Sequence, residues 1–190
     1  MSSNKSVVTP ERFKLGLLYN DWMGQIKVNK DRFEEAYKSF HVDDADASYI
    51  RGLLEKGEGP AKVLILGEDW CPDVIRGLPV MVKFAEAVGM EARIFPRDEN
   101  IDVMNEFLKD GEFQSIPTFV FYNRDHKYLD RWVERPQIAT KEMAEIQKVV
   151  DVDLAGKSDD EQRLERRNRG EARWSQWQLE TAKEIRALFS

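Results

Sequence analysis

From residue 62 onward the hydrophobic pattern changes character. Short aliphatic or aromatic blocks alternate with stretches whose apolar residues recur every three or four positions. Val63-Leu64-Ile65-Leu66, bounded by Pro60 and Gly67, reads as a strand over 62–67. Ile75, Leu78, Val82 and Phe84 follow at helical spacing, which predicts a helix over 72–88 that ends at Gly89. Residues 91–95 form a second strand. Residues 100–109 form a helix carrying Ile101, Met104, Phe107 and Leu108, closed by Gly111. Residues 118–122 and 128–133 are strands joined by a turn at Asn123-Arg124-Asp125, and 142–150 is one more helix. This βαβαββα order predicts an α/β fold. Its four-stranded mixed sheet is mainly parallel with an antiparallel edge and has helices on both faces.

Before this block, residues 9–56 read as helical. Thr9-Pro10-Glu11 is a helix start with proline at the first position. Phe13, Leu17, Met23 and Ile26 mark its apolar side. Asn29 or Asp31 begins a second helix through Phe33, Ala36, Tyr37 and Phe40. Asp43-Asp44-Ala45-Asp46 is an acidic helix start ahead of Ile50, Leu53 and Leu54. It lacks the glycine and distal glutamate of a calcium loop, so capping is its reading. After residue 154 the chain is polar and charged up to about 170. Trp174, Trp177, Thr181, Ile185 and Leu188 then form a one-sided helical stripe. The expected organisation is an N-terminal helical extension (1–57), a central domain (58–153), and a charged linker with an amphipathic C-terminal helix (154–190). The stripe should pack back on the domain or form a homodimer surface.

Composition narrows the function classes. Apolar residues make up 42% of the chain, enough for a core, and charged residues 34%. A net charge of −6 argues against nucleic acid or an anionic membrane as the main partner. No apolar run approaches the ~18 residues that span a bilayer, and the polar start leads into no apolar signal core. One cysteine excludes an internal disulfide and fits a reducing compartment, so a cytoplasmic location is expected.

That cysteine is the candidate for chemistry. Cys71, in Trp70-Cys71-Pro72-Asp73-Val74, stands where the first strand hands over to a helix. A thiol at a helix start meets unpaired N–H groups and the positive end of the macrodipole, which favour thiolate. Asp73 opposes that effect unless it caps the helix. His41 and His126 are isolated surface candidates that make no metal pattern with Cys71, and glycine-rich phosphate loops are absent. No metal and no cofactor is called for.

Trp70-Cys71 after the first strand, Pro79 within the following helix, Asp98-Glu99-Asn100 and Ser115-Ile116-Pro117-Thr118 occur in the order of the thioredoxin-like superfamily. The chain resembles that superfamily over residues 61–135. Over residues 10–150 it is similar to a poorly characterised bacterial group with Trp-Cys-Gly-Asp-Ala, Arg-Asp-Glu-Asn, Ser-Ile-Pro and a Trp followed by Arg-Pro. The matching residues are Trp70 to Val74, Arg97 to Asn100, Ser115 to Pro117 and Trp132 to Pro136, with Tyr19, Lys30 and Phe33 in the helical start. The resemblance implies a cis Pro117 lying against Cys71. It makes Trp70, Pro72, Asp73, Val74, Ile116, Pro117, Thr118 and Arg97 neighbours of the active cysteine.

Two departures from thioredoxin bear on function. Val74 occupies the place of the resolving cysteine, and Ile65 that of a buried carboxylate six residues before Cys71. Dithiol reduction within one chain is therefore not available. Three classes remain. The favoured one is a monothiol thiol–disulfide oxidoreductase, with Cys71 as nucleophile, an external resolving thiol, and a protein or small-molecule thiol or disulfide as partner. The second is a catalytically silent protein- or peptide-binding module. The third is an iron–sulfur carrier using two chains, weakened by the absence of a glutathione-binding pattern.

Overall fold

Four strands, β1 (Lys62–Gly67), β2 (Glu91–Pro96), β3 (Thr118–Tyr122) and β4 (Tyr128–Val133), form one sheet in the order β2-β1-β3-β4. The computed structural model describes residues 6–190; the polar start, residues 1–5, lies outside the described residues. The sheet is mixed, as expected, but only β1 and β2 are parallel. β3 runs antiparallel to β1, and β4 to β3. The connection after β2 explains this difference. Helix α6 (Ile101–Met104) is four residues long, not ten, and turns follow it through Asp110 and Gly111, both at positive φ. The chain reaches the far end of the sheet, where Phe107 stacks on Tyr128. It then returns to the near end, where Arg97 Nη1 donates to the Gln114 carbonyl at 3.4 Å. β3 must therefore start where β2 stops.

Helix α5 (Pro72–Val88) lies against β1 and β2 and is buried almost throughout. Its mixture of Val, Ile, Leu, Met and Phe leaves no polar face wide enough for water, so other helices must cover it. Helices α3 (Lys30–Ser39) and α4 (Asp44–Glu55) of the N-terminal segment do so, together with α9 (Trp174–Ala187). Gly89, at φ 76°, ends α5 in the left-handed conformation that glycine tolerates.

The N-terminal segment also has local structure that its sequence foreshadows. Thr9 Oγ1 accepts from the Arg12 N–H to cap α1 (Pro10–Lys14). Asp43 accepts from the Ala45 and Asp46 N–H groups to cap α4, confirming the capping reading. The apolar run from Phe13 to Ile26 is broken before α2 (Tyr19–Gln25). At the break Leu17 exchanges two 2.8 Å backbone hydrogen bonds with Ile94, covering the free edge of β2. Gly16 permits this approach: a Cβ there would sit 2.3 Å from the Phe95 ring.

At the other end, α7 (Gln137–Asp153) is longer than predicted. The expected linker contains helix α8 (Asp159–Glu171), which opens with a capping box between Ser158 and Glu161. Its sequence is polar all round. The helix holds through charge pairs such as Arg169–Glu165 at 2.7 Å and Arg169–Asp153 at 2.8 Å. The C-terminal stripe folds back within the chain, onto α5, α4 and α7. Trp177, Thr181 and Ile185 are fully buried, with Trp174 and Leu188 half-buried at its margins.

Trp177→Ala should lower stability by about 3–5 kcal/mol in urea unfolding, the range for deleting a buried aromatic side chain. Truncation after Leu154 should lower the melting temperature as well. A full-length melting point in the truncated protein would show that α9 is not part of the core.

Candidate functional site

Cys71 is the N-cap residue of α5, and Pro72 occupies the first helical position. The β1–α5 loop sets it there: Leu66 and Gly67 end the strand, and the Cys71 N–H donates to the Glu68 carbonyl at 3.3 Å. The cysteine is buried. Its Sγ lies 3.7 Å from the Ile116 carbonyl, to which the thiol donates. The Ile116–Pro117 peptide bond is cis. Pro117 also lies close to the site helix, since a Cβ added at Gly77 would lie 3.3 Å from its ring. Thr118 is buried, and its Oγ1 donates to the Ser115 carbonyl at 2.8 Å.

The remaining predicted residues divide into those that meet at Cys71 and those that do not. Val74 is fully buried and packs beneath Gly67, where a Cβ would meet its side chain at 2.9 Å. Pro72 is exposed. Trp70 points outward and is half exposed. Arg97 lies over the Trp70 ring, 5.3 Å from its centroid, and is held by Asp98 at 2.6 Å, so it joins the rim of the site rather than the thiol. Ile65 is fully buried in the sheet, as its replacement of a carboxylate implies. Trp132 is a packing residue: it stacks on Phe119 at 5.0 Å and donates its indole N–H to Glu184 of α9. His126 is a correction. It is half-buried, stacked on Tyr122 at 4.5 Å, with Nε2 bonded to the Val8 carbonyl. Among the described residues no cluster of His, Cys, Asp and Glu could hold a metal ion.

Asp73 neither caps α5 nor stands free beside the thiol. Its carboxylate is clamped between two guanidinium groups, Arg76 Nη1 at 2.7 Å and Arg135 Nη2 at 2.6 Å. Arg135 also pairs with Glu134, and Glu134 with Lys109 at 2.5 Å. Arg76 is almost wholly buried, and its guanidinium lies 5.3 Å from the centroid of the Trp177 ring. Its Nε and Nη2 have no hydrogen-bond partner among the described residues. Burial pulls the Arg76 pKa down, against the pull of Asp73. Burial would raise the Glu134 carboxyl, but the hydrogen bond from Lys109 and the charge of Arg135 outweigh it, and its net shift is downward. The sequence reading missed Arg76 and Arg135 as site residues. The i, i+3 spacing of Asp73 and Arg76 was a signal for the first. Only the Trp-x-x-Arg-Pro motif hinted at the second.

The thiol itself departs from expectation. A helix start predicts a lowered pKa, yet the Cys71 pKa is raised. Burial is the largest cause. The N–H groups of Val74 and Asp73 and the charge of Arg135 pull it down, but burial and the Asp73 carboxylate prevail. The macrodipole argument holds for an exposed helix start and loses here to desolvation.

A family model described as thioredoxin matches residues 16–147. The chain belongs to the thioredoxin family. No curated protein matches it. Among solved structures, this thioredoxin-family chain is similar to a protein of unknown function from Pseudomonas aeruginosa. The two are 17% identical with a TM-score of 0.64, over 95% of this chain and 96% of that one. It is also similar to an HIV epitope-scaffold, 20% identical with a TM-score of 0.62, over 97% of each chain. At these identities the likeness shows a common fold, and it takes in the helical additions at both ends as well as the sheet.

Two outcomes follow from the site. The iodoacetamide alkylation rate of Cys71 should rise with pH through a midpoint above the free-cysteine value of about 8.5. Because the native thiol holds its proton more tightly than the unfolded one, its stabilising contribution is complete below about pH 8.5 and is lost as pH rises through the folded value. Asp73→Asn should cost about 3 kcal/mol in urea unfolding, since it leaves the buried Arg76 guanidinium without a carboxylate partner, Arg135 keeping Glu134. It should also move the alkylation midpoint down. An alkylation midpoint below about 8 in the natural protein would overturn the desolvation account.

Proposed function

We propose that this thioredoxin-family protein is a binding module that takes an extended peptide segment of a partner protein on its Cys71 face, with Cys71 held as a neutral thiol. The observation that carries this reading is the state of the cysteine. It is buried, donates to the Ile116 carbonyl, and is raised by desolvation, so little thiolate is present at neutral pH. Val74 in the resolving position and Ile65 beneath it leave no second thiol and no buried base to complete a dithiol cycle. The Ile116 N–H has no acceptor among the described residues. A free N–H at a strand entrance is the kind of group to which an extended peptide can add. Half-exposed Trp70 and Phe113 supply apolar contact area close by in sequence to either side of the site.

A second reading, the monothiol oxidoreductase favoured by sequence, draws on a different observation. The backbone N–H groups of Val74 and Asp73, in the first turn of α5, act on the sulfur in the direction that favours thiolate. If a partner opened the site to water, Cys71 thiolate could attack a disulfide. The leaving thiolate would depart, a mixed disulfide would form, and an external thiol would have to release it. The expected location is a reducing compartment, in keeping with a free cysteine.

Glutathione disulfide separates the two. At neutral pH the natural protein should form a mixed disulfide, read by intact mass, more slowly than free cysteine does. It should also leave insulin reduction at the rate of the added thiol alone. Mixed-disulfide formation faster than free cysteine, abolished in Cys71→Ser, would establish the oxidoreductase instead.

A further inference from the structure

Beside the Cys71 face, on the far side of Trp70, lies a cleft of about 350 Å³. Its walls come from three parts of the chain: the end of α2, the β1–α5 loop, and the turn after β2. The N-terminal extension therefore builds one side of it. Ile26, Pro96 and Trp70 supply apolar surface above the buried Trp22, and four carboxylates and one ammonium group stand around them.

The carboxylates are not equivalent. Asp69 is committed to the fold: its Oδ2 accepts from the Lys27 N–H at 2.7 Å and the Val28 N–H at 3.2 Å. Asp98 is occupied by Arg97, which it holds through Nε and Nη2. Among the described residues Glu68 accepts only one hydrogen bond, from the Asp98 N–H to Oε1 at 2.8 Å. Glu99 makes no side-chain hydrogen bond or ion pair among the described residues. The adjacent cations do not neutralise this pair. Lys27 is exposed and is joined to the loop through its backbone, and Arg97 is spent on Asp98 and the Trp70 ring. Burial lifts the Glu68 carboxyl above its ordinary value, with the charges of Asp98 and Asp69 adding to the rise, against the Asp98 N–H and Arg97.

We infer that this cleft is a specificity pocket for a lysine or arginine side chain of the partner peptide, with its cationic head between Glu68 and Glu99 and its stem along Ile26 and Pro96. The inference rests on the peptide-binding reading above and adds the chemistry of the partner. Size supports a single side chain, since the volume lies at the bottom of the roughly 300–1,000 Å³ range of small-molecule clefts. Shape supports a long cationic one: lysine and arginine lay an apolar stem on apolar surface while the head finds charge. Trp70 connects the pocket to the peptide edge, because the residue after it in sequence is Cys71, whose thiol bonds to Ile116. A peptide residue near Ile116 would then set another, a few positions away, over the cleft.

The test is selection of a random heptapeptide display library on the full chain and on the double variant E68Q/E99Q. The amide oxygen that replaces the Glu68 carboxylate can still accept from the Asp98 N–H, and position 99 is exposed, so the variant should fold; its melting curve checks this. Peptides from the natural protein should show Lys or Arg enriched at one position. Replacing that residue by norleucine should weaken binding about threefold to tenfold, the scale of a partly desolvated charge contact. The double variant should select peptides without that preference. Peptides selected with no basic preference, or with the same preference in both proteins, would overturn the pocket while leaving the binding reading intact. Recovery of no peptides by either protein would overturn the binding reading and the pocket with it.

Discussion

Helix α5 is apolar on nearly every side, and a helix of that kind cannot lie on a sheet with its back to water. Its inner side rests on β1 and β2, while α3, α4 and α9 close over the rest. Phe33, Ile50, Trp177 and Ile185, contributed from positions far apart in the chain, are all fully buried. At roughly 1.5–3 kcal/mol for each large apolar side chain, this cover is worth far more than the helix propensity of its own sequence. The extensions at both ends of the chain are thus part of the core that holds the site helix.

The same burial decides the electrostatics at the start of α5. An exposed helix N-terminus would stabilise a thiolate at Cys71. Here the enclosing residues remove the water that an anion would need, and the thiol instead bonds to Ile116. Asp73 meets the same constraint and is paired with two arginines. One of them, Arg76, lies beneath Trp177, and the Gln178 side chain of α9 donates to its backbone carbonyl at 3.3 Å. The C-terminal helix is therefore coupled to the site through a buried ion pair. Breaking such a pair costs more than forming it contributes.

Much of the site was legible in the chain because its signals are local. The strand–Cys–Pro–helix handover depends on residues 62–88 alone. The loop Ser115-Ile116-Pro117-Thr118 carries its own signature, and Asp43 and Thr9 cap helices through contacts two or three residues away. Helix α8 carried a local signal too, Ser158 with Glu161, but its lack of an apolar face made it read as a connector. The direction of β3 was misjudged for a different reason. Hydrophobic periodicity shows that a segment is a strand, but its direction depends on where the preceding connection ends.

The sequence by itself determined the family, the kinds and order of the sheet elements, the place of Cys71 at a helix start, and the loss of a resolving thiol. These follow from residue identity and short-range spacing. Tertiary structure alone decided that Arg135 closes on Asp73, that Arg97 stacks on Trp70, and that the Cys71 thiol is raised. It also decided that the N-terminal extension meets the β1–α5 loop to form a cleft. Each of these depends on groups tens of residues apart being brought together and stripped of water, and no local pattern in a chain encodes how much water remains.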